Sequence, residues 1–339
     1  MAHEHDTRIN GRQLTTAVPR ELVHKRAHSE VLLTGWTTHE DDRHTVRAQW
    51  PRLHSFYWPR NQNFDPLLFV ETVRQTFPLL SHTAYGVPFD HHLVWDDFHY
   101  QVNPPAMRVP DAPADLVLEI ACKNVKTRNN RLVSMSMEAT AFLAGQRVGT
   151  ASTRFTSHAP ALYRRLRGQC LDPATVRRTA LPLPPALSPT AVGHLLPQNV
   201  VLADAPEKSG RWQIRVDLDH PVLFDHPVDH APGMLLMEAV RQAAHAMRPT
   251  PNTMVTAMSV SFTRWVALDQ PCWVSVAPLS HNTLRATVEQ AHNICVNAEL
   301  TIEETTLGQL PDHTSASHVT AHPPATPTTA AIRAVPVSA

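Results

Sequence analysis

The chain contains an internal repeat, and this feature restricts its possible folds more than any other. The segment DPLLFVETVRQ, residues 65–75, matches PGMLLMEAVRQ, residues 232–242, at five of eleven positions. The matched positions include Glu71 and Glu238, which are separated by 167 residues, about half of the 339-residue chain. An internal repeat with this spacing indicates that the chain folds into repeated units of similar structure. The sequence therefore predicts two copies of one unit.

The surroundings of the two matched segments repeat as well. Two alternating, strand-like runs precede each segment, SEVLLTGWTT and HTVRAQW in the first copy, NVVLADA and RWQIRVDL in the second, and about four more follow each one. The segment from Pro232 onward is apolar on every face, which is typical of a helix buried within other structure. We therefore predict that each copy is a helix wrapped by an antiparallel sheet. In the first helix, we expect Pro78 to kink or end the helix near Phe77.

Composition divides the chain and excludes several classes of protein. We predict a polar segment at 1–17, a first repeat at 18–158, a linker at 159–195, a second repeat at 196–306 and a disordered tail at 307–339.

Lys and Arg number 30, as do Asp and Glu, so the balance of charge argues against a nucleic-acid or anionic-membrane partner. Glycine-rich nucleotide motifs, GxSxG elbows, CxxC pairs and long apolar runs are absent from the sequence. We expect a cytoplasmic protein without a cofactor.

Two charged pairs interrupt the apolar helices, Glu71 with Arg74 and Glu238 with Arg241. The spacing of three residues places both members of a pair on one helix face. An ionised carboxylate is expensive to bury without a partner, so the presence of a pair in both copies suggests a function. A structural ion pair that fixes the helix register is an equally good interpretation.

Histidines and aspartates cluster in the loops that lead into the helices. The loop HPVLFDHPVDHAPG precedes the second helix and contains His226, Asp229 and His230, whereas His54 precedes the first helix. The prolines of the second loop disfavour the regular helix that usually aims an HxxxH pair at a metal, so we expect no metal site. A histidine near a buried glutamate suits general acid and base chemistry. For each histidine taken singly, a surface or loop-stabilising role is the commoner one.

These motifs resemble those of a known family. The segment HPVDHAPGMLLMEAVRQ is similar to the start of the central helix in hotdog hydroxyacyl-acyl-carrier-protein dehydratases, and the closer resemblance is to the A-factor biosynthesis hotdog family of actinomycetes. The motifs VPRELVHKRAHSEVLLTGW, AQWPRLHSFY, DPLLFVETVRQ and YGVPFDHHLVWD occur in the order of that family. The resemblance implies an α+β fold, a tandem hotdog in which each long central helix is wrapped by a curled antiparallel sheet.

The resemblance also implies an acyltransferase activity. A β-ketoacyl group would move from an acyl-carrier-protein thioester to a hydroxyl of dihydroxyacetone phosphate, which starts the synthesis of γ-butyrolactone or related butenolide or furan signals. The implied partners are β-ketoacyl-acyl-carrier protein and dihydroxyacetone phosphate, and direct transfer needs no covalent enzyme nucleophile. A dehydratase or thioesterase with the same His and Glu is an alternative. A non-catalytic double hotdog that binds an acyl ligand or acyl-carrier protein is another, because a fold alone does not fix a function.

Candidate residues follow from the same resemblance. The candidates for catalysis are Glu71, Glu238, Arg241, His54 and His226. The candidates for substrate binding are Arg74, Asp229, His230 and Arg264. Because the sites of paired hotdogs form between two units, we expect His226 to work with Glu71, and His54 with the second glutamate, while pairing within one unit stays open. The first copy has Phe64 where relatives often have a histidine, which favours the second repeat as the better site.

Overall fold

The structure is a computed structural model, and it describes residues 8–9, 12–129, 131–168, 172–205, 210–248 and 252–304. The predicted tail, 307–339, lies outside the described residues. The helices of the described part are α1 Pro66–Thr83, α2 Pro160–Arg167, α3 Pro173–Thr179 and α4 Gly233–Met247. The strands are β1 Arg8–Ile9, β2 Arg12–Gln13, β3 Leu33–Thr38, β4 Arg43–Trp50, β5 His92–Val102, β6 Ala114–Arg128, β7 Arg131–Leu143, β8 Gln146–His158, β9 Leu202–Ala203, β10 Arg211–Ile214, β11 Thr253–Phe262, β12 Cys272–Pro278, β13 Thr283–Gln290 and β14 Asn293–Glu304.

Twelve of these strands form one continuous antiparallel sheet. Its order in space is β3-β4-β6-β7-β8-β5-β11-β14-β13-β12-β10-β9. Strands of the first copy occupy one half and those of the second copy the other half, with the same connectivity in both. The halves join where β5 pairs with β11, with Gln101 opposite Ala257 and Asp97 opposite Ser261. This topology confirms the predicted α+β class and the duplicated unit, while the exact boundaries of the units remain predictions.

The two long helices begin where the sequence indicates. The side chain of Asp65 accepts a hydrogen bond from the Leu67 backbone N–H at 2.8 Å, and Pro66 occupies the first turn of α1. Pro232 precedes α4, whose side chains are buried from 234 through 245. A helix enclosed on every face requires a sheet curled around it, as predicted. Within the described ranges, no helix is both long and apolar enough to span a membrane.

Pro78 does not end α1. The helix continues through it for five more residues to Thr83. A proline inside a helix removes one backbone hydrogen bond, but most side chains of α1 are buried, and tertiary packing supplies most of the stability of such a helix. The expected end near Phe77 is therefore wrong, and a kink at this position stays a prediction.

Candidate active site

A cavity of about 1120 Å³ lies between the two repeats. One wall comes from α1 and from the segment before β3, and it includes Lys25, Glu71 and Arg74. The opposite wall comes from the loop before α4, which includes His226 and Asp229. Residues of both copies therefore contribute to one site.

Glu71 lines this cavity but is only 2% exposed, because donors surround its carboxylate. Arg74 donates through Nε to Oε2 at 2.7 Å and through Nη2 to Oε1 at 2.9 Å. Lys25 Nζ lies 3.0 Å from Oε1, and Gln75 Nε2 donates to the same oxygen at 2.9 Å. Burial alone would raise the pKa of Glu71, but the charges of Arg74 and Lys25 outweigh it and hold the pKa well below its usual value. The carboxylate is therefore ionised, and it fixes the position of two cations.

The second copy contains an equivalent cluster around Glu238. Arg241 donates through Nε to Oε2 at 2.8 Å and through Nη2 to Oε1 at 2.6 Å, and Gln242 Nε2 donates to Oε1 at 2.6 Å. His194 takes the place of Lys25, with its Nε2 2.7 Å from Glu238 Oε1. The structural repeat thus extends beyond the matched helices into segments whose sequences differ.

The space beside the second cluster is filled. Only about 20 Å³ remains in the void lined by Arg60 and His245, where Arg60 Nη1 lies 3.4 Å from both ring nitrogens of the histidine. Pro78 has the same position relative to Glu71 in α1 that His245 has relative to Glu238 in α4. Pro227 precedes the first residue of α4 by the same number of residues as Arg60 precedes the first residue of α1. Both prolines line the large cavity, so the exchange of two long side chains for prolines leaves room for a ligand.

The structure brings six of the nine candidate residues together in the large cavity. These six are Glu71, Arg74, His226, Asp229, His230 and Arg264. Three candidates lie elsewhere, namely His54, Glu238 and Arg241. The loop before α4 and helix α1, which we expected to share a site, enclose the open cavity. The loop before α1 and helix α4 enclose a space that side chains fill.

His54 is buried and supports its own loop. Its Nδ1 accepts hydrogen bonds from the backbone N–H groups of Phe56 and Tyr57, both at 3.1 Å, and its Nε2 lies 3.5 Å from Glu30 Oε2. His220 repeats this arrangement in the second copy and accepts from the N–H groups two and three residues later. The structural counterpart of His54 is therefore His220, not His226.

Asp225 connects the loop before α4 to the first copy. Its carboxylate accepts hydrogen bonds from the backbone N–H groups of Arg26 at 2.6 Å and Ala27 at 3.0 Å. His226 Nδ1 lies 3.5 Å from Asp225 Oδ2, and its side chain is 45% exposed. The hydrogen bonds of Asp225 hold the loop before α4 against the segment that contains Lys25. This segment closes the cavity on that side.

The contribution of Asp225 to stability is expected to depend on pH. Burial raises the pKa of Asp225, but hydrogen bonds from His226 and from the amides of Arg26 and Ala27 outweigh this and lower it from 3.8 to about 2. A carboxyl group whose pKa is lower in the folded state stabilises the fold fully above the unfolded pKa, and the effect is lost as pH falls through the folded pKa. In urea unfolding, Asp225→Asn should therefore be less stable than wild type at pH 6, with the difference shrinking towards pH 2. The exposed Asp111→Asn is the control, and a difference independent of pH would contradict the assignment.

Asp229 orients its neighbour His230. Tyr163 Oη donates to Asp229 Oδ1 at 2.9 Å, Arg167 Nε donates to Oδ2 at 3.1 Å, and His230 Nδ1 lies 2.7 Å from Oδ1. Burial would raise the pKa of Asp229, but its contacts with His230, Tyr163 and Arg167 hold it well below the usual value. These contacts occupy the carboxylate and hold the imidazole of His230, which also lines the cavity.

The rest of the cavity wall is apolar or lies at the rim. The apolar residues include Phe77, Trp95, Met234, Leu236 and Phe262. Arg264 is exposed at the cavity edge, next to Trp265, over which Arg167 stacks at 5.4 Å. Gly233 packs so closely on Trp95 that a Cβ atom there would lie 2.9 Å from the indole. An apolar wall beside a cationic cluster can accommodate a ligand with an acyl chain and a negatively charged group.

The cavity wall also contains residues that the sequence did not indicate as candidates, among them His24 and Lys25. These two residues follow a single 3₁₀ turn, Arg20–Val23, and not a periodic element, so no spacing relates them to the helix carboxylates. Within the described ranges, no three His, Cys, Asp or Glu side chains are grouped to hold a metal ion.

The joined six-stranded units, each with one enclosed helix and with a site at their junction, define a double hotdog protein. The family model described as the A-factor biosynthesis hotdog domain matches residues 7–158 and 175–310, and the chain belongs to this family.

Several known proteins are similar to the chain. It is 47% identical to the 2-oxo-3-(phosphooxy)propyl 3-oxoalkanoate synthase of Streptomyces virginiae, over 78% of this chain and 89% of that protein. It is 36% identical to the protein of the same name from Streptomyces coelicolor, over 77% of this chain and 82% of that protein. Among solved structures, the 12:0-ACP thioesterase from Umbellularia californica matches with a TM-score of 0.48 at 10% identity, over 77% of this chain and 98% of that chain.

Proposed function

We propose that the chain is an acyltransferase that moves a β-ketoacyl group from an acyl-carrier-protein thioester to the free hydroxyl of dihydroxyacetone phosphate. The product is a 2-oxo-3-(phosphooxy)propyl 3-oxoalkanoate, the compound in the names of the two relatives. The observation that carries the proposal is the cavity between the repeats, where a cationic cluster adjoins an apolar wall. We propose that the reaction takes place in the cytoplasm and begins the synthesis of a γ-butyrolactone or a related signal.

The cationic cluster is suited to bind the phosphate group. Lys25 and Arg74 share one carboxylate, Glu71, so the cluster carries one excess positive charge. A guanidinium and an ammonium group both bind phosphate oxygens well, and the buried carboxylate holds them in fixed positions before the substrate arrives. Glu71 thus acts through the two cations, because both of its oxygens are already occupied by Arg74, Lys25 and Gln75.

The apolar wall is suited to bind the acyl chain. Trp95 contacts both Phe77 and Phe262 in this wall, with ring centroids 5.6 and 5.5 Å apart. We place the pantetheine arm of the acyl-carrier protein at the rim beside Arg264. Holding both substrates in one cavity can lower the barrier by roughly 7 to 11 kcal/mol, because the reacting groups no longer have to meet in solution.

Mass spectrometry of the purified protein tests this function. The protein is mixed with a β-ketoacyl thioester, with and without dihydroxyacetone phosphate. We expect a phosphorylated β-keto ester, or the butenolide phosphate formed by its condensation, only when the triose phosphate is present. Free acid or enoyl product formed regardless of the triose phosphate would indicate a thioesterase or dehydratase. An absence of turnover at every chain length would indicate a binding protein.

A further inference from the structure

His24 has an unusual position at the end of the 3₁₀ turn that precedes Lys25. Its backbone lies in the left-handed region, with φ 53° and ψ 48°, where such turns usually carry glycine. The equivalent turn in the second copy does carry glycine, Gly193, with φ 76°. A Cβ at Gly193 would meet Arg60 and His245, which fill that site. Only the first copy has a side chain at this position, and that side chain lines the large cavity.

Hydrogen bonds determine which nitrogen of His24 carries the proton. His82 Nδ1 lies 2.7 Å from the carbonyl oxygen of Val87, which can only accept, so Nδ1 of His82 is the donor. In neutral His82 the other nitrogen, Nε2, is therefore an acceptor. It lies 2.8 Å from His24 Nε2, which must then be the donor. Neutral His24 is left with an unprotonated Nδ1.

The Nδ1 atom of His24 is available to a ligand. It has no hydrogen bond within the described part of the chain, and it is not among the buried polar atoms that lack a partner. His82 does not line the cavity, so it contacts the His24 ring on the side away from the cavity. His24 lines the same cavity as Lys25, Glu71 and Arg74.

We propose that His24 is the general base of the transfer reaction and that His82 is the residue that positions it. This inference rests on the proposed function. His24 Nδ1 accepts the hydroxyl proton of dihydroxyacetone phosphate while the hydroxyl oxygen attacks the thioester carbonyl carbon. A C–O bond forms, the tetrahedral intermediate collapses and the C–S bond breaks. The departing thiolate takes the proton back from Nδ1, so the products are the ester and the free thiol, and the imidazole is regenerated.

The electrostatic surroundings fit this cycle. Burial lowers the pKa of His24 to about 3, and the charges of His82, Arg74 and His226 contribute to the shift. The ring is therefore neutral in the free enzyme, with its lone pair available. A bound phosphate brings negative charge close to His24, which raises the pKa of the imidazole towards the range where histidine is an effective base. His226 and His230 of the loop before α4 differ from His24, because each has its Nδ1 directed at an aspartate.

The test replaces His24 by the residue that the second copy has at this position. His24→Gly removes the imidazole and favours the left-handed backbone, so we expect a folded protein. We expect kcat for ester formation to fall about 10²- to 10⁴-fold, with little change in KM for dihydroxyacetone phosphate. Added imidazole should restore part of kcat by occupying the vacated space. His292→Gly is the matched control, since His292 also has a positive φ, 62°, but lies in an exposed turn and should keep wild-type kinetics.

His82 has its own variant. His82→Phe retains a ring that can stack on Phe89, as His82 does at 4.3 Å, but removes the acceptor for His24. We expect kcat to fall about tenfold or more with KM for dihydroxyacetone phosphate retained and without rescue by imidazole, because His24 is still present but its tautomer is no longer fixed.

The outcomes separate the inference from the proposed function. If wild type forms the phosphorylated ester and His24→Gly does so within about threefold of wild type, His24 is not the base and this inference alone fails. If wild type forms no ester, the proposed function fails and the role of His24 fails with it. Ester formation by wild type, its loss in His24→Gly and its rescue by imidazole support both.

Discussion

Replacement of Arg74 by Gln is expected to slow ester formation by about 10²- to 10³-fold, the usual effect of removing one donor that stabilises developing or bound negative charge. The Arg74 side chain is 18% exposed and lines the cavity, whereas its carboxylate partner is almost completely enclosed. Its guanidinium can therefore face a phosphate without releasing Glu71. Steady-state kinetics with varied dihydroxyacetone phosphate should show an increased KM together with a reduced kcat.

The chain offers a matched control for this variant at the same position of the second repeat. Arg241 has the same helical position and binds the equivalent glutamate in the same way, but it is 3% exposed in a filled site. Arg241→Gln should therefore reduce the stability of the protein and leave KM of the folded fraction unchanged. Equal kinetic losses in the two variants, at equal folded fractions, would show that both clusters take part in the reaction.

Replacement of Glu238 by Gln is expected to lower the free energy of unfolding by about 3 to 5 kcal/mol, because it removes the nearest counterion of a buried guanidinium. Glu238 is 1% exposed, and the next carboxylate, Asp65, has its Oδ2 3.9 Å from Arg241 Nη1. Burial would raise the pKa of Glu238, yet Arg241 and His194 hold it well below the usual value, so the native protein contains the ionised form. Urea denaturation measures the loss.

Glu71→Gln provides the comparison. Its cations have more access to water, so we expect a smaller loss of stability and a larger loss of ester formation than in Glu238→Gln. A Glu238→Gln protein with wild-type stability but no ester formation would assign the chemistry to the second cluster instead.

Periodic features of the sequence were sufficient to predict the architecture. The two matched helices and the strand-like runs that precede them depend on local patterns, and the structure confirms them. The helix carboxylates were found in the same way, since Glu71 and Glu238 interrupt apolar runs. Their partners Lys25 and His194 were missed, because they come from segments without a period and approach the helix only through the tertiary fold.

The difference between the two clusters could not be predicted either. It depends on whether a few positions carry long side chains, as with Arg60 and His245, or prolines, as with Pro78 and Pro227. From sequence, Pro78 was interpreted only through its effect on the helix backbone. Its position in the cavity wall adds a second effect, because a proline there leaves space that His245 fills in the second copy.

The pairing of β5 with β11 has a consequence for how such a protein can diverge. When two separate copies of one chain pair in this way, every mutation appears on both sides of the symmetry axis, and both sites change together. When the two units share one chain, each half can mutate independently. The cluster of one half can become filled by side chains and serve only the stability of the fold, while the cluster of the other half keeps an open cavity. In a chain built in this way, a substitution at Glu71 leaves Glu238 and its cluster unchanged, so the two equivalent positions can take different roles.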